Sequence, residues 1–64
     1  MNDEIQSKKK FDCIFESKTE DELIYVKYED LDGYIHYEYS WDGTQQDYTM
    51  TPVELYRYYK RLIL

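Results

Sequence analysis

The segment covering residues 22–41 constrains the fold more than any other part of the chain. Leu23, Ile24, Tyr25, Val26 and Tyr28 form a run rich in β-branched and aromatic residues, and residues 34–41 form a second, still more aromatic one. Between them Asp30-Leu31-Asp32-Gly33 supplies turn chemistry, with Gly33 free to take a positive φ. If Glu29 faces Tyr34, then Tyr28 meets Ile35, Val26 meets Tyr37 and Ile24 meets Tyr39, which makes one apolar face. The other face then carries Glu29 with Tyr34, Lys27 with His36, and Tyr25 with Glu38. Register and polarity agree, so the segment is expected to be an antiparallel hairpin.

On either side of the hairpin the pattern predicts one more strand and one helix. Phe11, Cys13 and Phe15 alternate with Asp12 and Glu16, the period of a half-buried strand, and a polar connector follows at residues 17–21. Residues 42–48 read as a loop. Thr51, Pro52 and Glu54 then make a helix start, with Thr51 as N-cap, Pro52 at the first helical position and Glu54 completing a capping box. Met50 is placed to pack on Leu55. Leu55, Tyr59 and Leu62, flanked by Tyr56 and Ile63, share a stripe that would cover the apolar sheet face. The expected fold is α+β: a three-stranded antiparallel sheet in β-β-β-α order with one C-terminal helix on one face. Residues 1–10 are expected to be a flexible polar tail, and residues 11–64 a single small domain.

Size limits what holds such a domain together. A chain of 64 residues buries only ~60% of the surface its unfolded form exposes. Cys13 is the only cysteine, so no intrachain disulfide can form, and with one histidine no structural zinc site is expected. Association is the remaining support, and a homodimer is expected. Residues 1–10 lack the apolar core of a signal peptide, and no apolar run approaches the ~18 residues of a membrane span. A cytoplasmic protein without membrane contact is therefore expected.

Charge narrows the partner. The sequence has a formal net charge of −6 at pH 7, but the imbalance is concentrated. From Asp12 to Glu54 there are twelve acidic residues against Lys18 and Lys27, together with six of the nine tyrosines. Carboxylates spread along aromatic strands present negative charge much as phosphates do, and an enzyme gripping DNA through Lys and Arg reads charge largely without regard to sequence. Many small domains are simply acidic, which is the plainer account. Aromatic sheets that stack nucleic-acid bases have a basic surround, and here the sign is wrong. Direct nucleic-acid binding through Lys8, Lys9 and Lys10 or the basic end of the helix is the weaker alternative. Exposed tyrosines, with Tyr25, Tyr34, Tyr48 and Tyr58 as candidates, suit a protein interface.

No catalytic constellation is visible. His36 lies mid-strand on the polar face and reads as a surface histidine beside Lys27. Cys13 alternates with two phenylalanines, as a small buried hydrophobe does. Asp30-x-Asp32-Gly33 lacks the spacing of a calcium loop and reads as a turn. The chain is expected not to be an enzyme and to need no cofactor or metal.

Residues 30–39, Asp-Leu-Asp-Gly-Tyr-Ile-His-Tyr-Glu-Tyr, resemble the central segment of the small phage-encoded uracil-DNA glycosylase inhibitors, with its acidic Asp-Gly turn and Tyr-Glu-Tyr strand. Residues 49–54, Thr-Met-Thr-Pro-Val-Glu, resemble that family's helix start. The resemblance implies a dimeric DNA mimic that occupies the glycosylase's DNA-binding groove and captures its apolar wedge residue. It implies that Glu38 and Glu54 stand for the family's strand and helix glutamates. Val53 stands where the family has an aromatic, and the family's helix tyrosine falls near Arg57, with Tyr56 reached by a one-residue shift. The strand-strand-helix pattern also looks like the KTSC family of small domains. The candidate partner-binding residues are thus Glu29, Asp30, Asp32, Tyr34 and Glu38 on the hairpin, Asp42, Asp47 and Tyr48 in the loop, and Val53, Glu54 and Tyr56 on the helix. The alternatives are an inhibitor of another nucleic-acid enzyme (a restriction enzyme, a CRISPR nuclease or RNA polymerase) and an interaction module without mimicry.

Overall fold

A computed structural model describes residues 7–39 and 46–63. The elements are β1 (Ser7–Ser17), β2 (Leu23–Asp30), β3 (Ile35–Tyr39), β4 (Tyr48–Met50), α1 (Pro52–Tyr58) and β5 (Tyr59–Arg61). The strands form one antiparallel sheet in the order β4-β3-β2-β1-β5. Among the described residues the α+β class and the single helix agree with the sequence pattern, but the sheet has five strands rather than three.

Both extra strands come from segments with another assignment. Tyr48–Met50, placed between loop and helix, pairs with Ile35–Tyr37 as β4. Tyr59–Arg61, expected to continue the helix, pairs with Phe15–Ser17 as β5. Helix α1 is only seven residues long, too short to sustain itself without tertiary contacts. At Tyr59 the backbone is extended (φ −132, ψ 159), and consecutive aromatics favour that state. The open edge of β1 offers the backbone a ladder: Lys18 donates its amide to the Tyr58 carbonyl at 2.9 Å and Leu62 donates to Ile14 at 2.9 Å. The Leu55-Tyr59-Leu62 helical stripe therefore does not exist, and Leu55 alone is buried from α1. Strand β1 also takes in Ser7–Lys10, which the sequence pattern assigned to the tail.

The helix start matches its signals in full. Thr51 accepts a hydrogen bond from the Glu54 amide at 3.2 Å, and Glu54 Oε1 accepts from the Thr51 amide at 2.9 Å. Each bond satisfies an amide that the first turn leaves without a helical partner.

The core consists of Phe15, Ile24, Val26, Ile35, Tyr37 and Leu55, with Phe11, Cys13, Tyr39, Tyr48, Met50 and Tyr59 packed around it. It lies on the sheet face that α1 covers. The β2–β3 register places Ile24 opposite Tyr39, Tyr25 opposite Glu38 and Val26 opposite Tyr37, as the hairpin pattern requires. Beyond that point it slips: Tyr28 faces His36 and Glu29 faces Ile35, so Lys27 is an extra residue, a β-bulge. A bulge in β1 between Lys10 and Cys13 lies alongside it, with Asp12 at φ 54. Tyr28, expected on the apolar face, thereby turns to the polar one.

Candidate functional site

Among the described residues, no helix lies over the face of the sheet opposite α1. Cross-strand pairing brings Ile14, Glu16, Leu23, Tyr25 and Glu38 onto it, and the bulge adds Lys27 and Tyr28 beside His36. Acidic Asp12, Glu16, Asp30, Glu38 and Asp47 are interleaved there with Lys27, His36 and Lys60, which pairs with Glu16 in the register. Near the centre the Tyr25 hydroxyl donates to Asp12, and that bond raises the tyrosine's pKa. Glu38, directly across from Tyr25, makes no ion pair among the described residues.

His36 is the best-organised group on this face. Its Nε2 lies 2.7 Å from Asp30 Oδ2 and its Nδ1 lies 2.8 Å from Asp47 Oδ2. Ionised carboxylates only accept hydrogen bonds, so both contacts are satisfied together only when both ring nitrogens donate, which favours the imidazolium form. Burial alone lowers its pKa, but the bonds to Asp30 and Asp47 outweigh burial and hold it above the ordinary value of 6.5. Tyr28 stacks on the ring with centroids 4.4 Å apart and planes 13° from parallel, a geometry that favours the cationic form. Asp47 is bridged in turn by Lys27 at 2.7 Å. Burial raises the Asp47 pKa, but the Lys27 and His36 bonds bring it below 3.8. Asp30 also accepts backbone amides from Tyr34 at 3.0 Å and Asp32 at 2.9 Å. The Tyr34 bond and then the His36 bond depress its pKa below 3.8. The histidine read as a surface group beside Lys27 is thus the centre of a network, with its side chain 15% exposed.

The other face offers a cleft at the end of α1. It encloses about 280 Å³ and is lined by Tyr37, Thr49, Met50, Glu54, Tyr58 and Tyr59. Tyr37 is nearly fully buried, whereas Tyr58 is 53% exposed. The Tyr59 hydroxyl donates to Glu22 at 2.8 Å. Burial first, and then hydrogen bonding, raises the pKa of both Tyr37 and Tyr59, so both stay neutral phenols.

The candidate residues divide between these regions. Glu29, Asp30, Asp32 and Tyr34 gather at the β2–β3 end of the sheet, where Glu29 lies 3.7 Å from Lys8 and Tyr34 is exposed. Glu38 and Asp47 are on the helix-free face. Tyr48 packs against the core from β4, and its hydroxyl donates to Gln46 at 2.8 Å. Val53 and Tyr56 are exposed on α1, with the Tyr56 ring meeting Phe15 edge-on at 6.1 Å, and Glu54 is engaged in the helix cap. Asp42 lies outside the described residues. Glu38 and the helix group therefore belong to opposite sides of the sheet. The role of His36 was missed because its partner Asp47 lies in the segment read as a loop and is brought alongside by β4, which begins at the next residue.

No group of His, Cys, Asp and Glu able to hold a metal ion occurs among the described residues, and none of their helices is long and apolar enough to cross a membrane. Compared with family models, with curated proteins and with solved structures, the chain matches none.

Proposed function

We propose that the chain is an acidic binding protein that takes the place of DNA on a DNA-handling enzyme, with uracil-DNA glycosylase as the first target, and that it does no chemistry of its own. The observation that carries this reading is the charge: twelve acidic residues against two lysines between Asp12 and Glu54, on a chain with a net charge of −6. Asp32 at the turn and Glu38 on the helix-free face make no ion pair among the described residues and remain available to a basic groove. In this reading the protein acts as a homodimer, which sedimentation equilibrium tests directly.

The deciding experiment is uracil excision by a bacterial glycosylase titrated with this protein at moderate salt. Inhibition near one equivalent is the expected result. Undiminished excision at large excess would remove the glycosylase as target, and other nucleic-acid enzymes would be tried next.

A second reading, an interaction module without mimicry, draws support from a specific observation. Asp30, Asp47, Glu29 and Glu54 are each bonded within the chain, so part of the acidic excess is structural. Charge reversal at Glu38 separates the two readings. A mimic should lose association rate most steeply at low salt, whereas a non-mimic module should show the same rate and salt dependence as the native chain.

A further inference from the structure

We propose that the cleft between α1 and β4 is a receptor for an arginine side chain of a protein partner. Three features of the cleft point to a guanidinium. Tyr37, Tyr58 and Tyr59 are three of its six lining residues, with Tyr37 nearly fully buried and Tyr58 53% exposed. Ring faces attract cations, and a planar guanidinium both stacks on them and sheds its water more readily than an ammonium does.

The second feature is Glu54, the carboxylate among the lining residues. The capping bond from the Thr51 amide pins its Oε1, so the group is held in place before a ligand arrives. Its Oε2 carries no hydrogen bond and no ion pair among the described residues. A carboxylate fixed by one oxygen and open at the other suits a single charged donor.

The third feature is the charge of the whole chain. At −6 it favours approach by a cationic surface. This inference rests on the reading above only in taking the partner to be a basic protein; it does not depend on which enzyme that is.

The test uses the full chain labelled with ¹⁵N and a blocked Gly-Arg-Gly peptide, followed by amide chemical shifts at low salt. Saturable shifts confined to Thr49, Met50, Glu54, Tyr58 and Tyr59 are expected. Glu54→Gln keeps the capping bond, because a glutamine serves in that box as well as a glutamate, but it removes the charge. It should weaken the peptide about fivefold, and Tyr58→Ala should weaken it too. A Gly-Lys-Gly peptide should bind less well. Shifts that do not saturate, an unchanged affinity in Glu54→Gln, or equal binding of the lysine peptide would each overturn the assignment. The glycosylase assay fails separately. Peptide binding without inhibition supports the cleft and removes that target, whereas inhibition without peptide binding removes the cleft alone.

Discussion

At the scale of single residues the chain's chemistry centres on His36. Charge holds its ring on two sides: Asp30 and Asp47 each accept a hydrogen bond from a ring nitrogen while Tyr28 covers one face. The linkage to stability has a definite sign. A histidine whose folded pKa lies above 6.5 contributes stability that is fully present below the unfolded pKa and is lost as pH rises through the folded one. Asp30 and Asp47, held below 3.8, contribute above that value and lose their contribution as pH falls through their depressed pKa values. Stability should therefore plateau at mildly acidic pH and decline on the alkaline side. Thermal melts at about pH 6 and about pH 9 should show a drop for the native chain and a much smaller one for His36→Gln. Equal drops in both would mean that the imidazolium bridge adds nothing to folding.

Among the elements, α1 is the one whose existence depends most on local chemistry. It has seven residues, one of them buried, so its reciprocal cap carries a large share of its stability. Thr51→Ala should cost about 1 kcal/mol, measured as a shift of the urea midpoint; a shift within error would mean that the Leu55 contact alone holds the turn. This helix start was legible because its signals are local: Thr51, Pro52 and Glu54 act on amides within one turn. The Ile24–Tyr39, Tyr25–Glu38 and Val26–Tyr37 pairs were legible because the two runs alternate apolar and polar residues in step there. The bulge at Lys27 was not, because it is coupled to the neighbouring bulge in β1, a partner that the hairpin alone does not specify. Tyr59–Arg61 was misread because its ladder lies with Phe15–Ser17, more than forty residues away. The candidate site divides along the same line. The hairpin carboxylates could be named as candidates from sequence, while the cleft needs β4 and the end of α1 to be brought together first.

For the molecule as a whole the margin is narrow. Six buried side chains form the described core, and a chain of 64 residues has a total stability of about 3–10 kcal/mol. Leu55 is the sole contribution of α1 to that core, and Leu55→Ala should cost about 2–5 kcal/mol, enough to populate unfolded chain visibly in circular dichroism. Native-like melting in that variant would show that the helix face can repack. The sheet has a second vulnerability at its margin. Along Lys8, Lys9 and Lys10, β1 pairs with β2 on one side, while β5 reaches only Phe15–Ser17 on the other. Charged lysines discourage edge-to-edge pairing. Lys8 also reaches Glu29, and Lys9 lies over the Phe11 ring, 4.8 Å from its centroid. Replacing all three with threonine should increase light scattering on concentration. A solution that stays monodisperse would assign those lysines another purpose.

The strand order also fixes a timetable. Strand β5 closes the edge of β1 but follows every other described element in the chain. During synthesis β1, β2 and β3 leave the ribosome first and must wait for their last neighbour. Until it arrives, Ile14 and Phe15 sit beside an unfinished border, so a stalled or truncated translation product lacking β5 should be a preferred client for chaperones that recognise exposed strands.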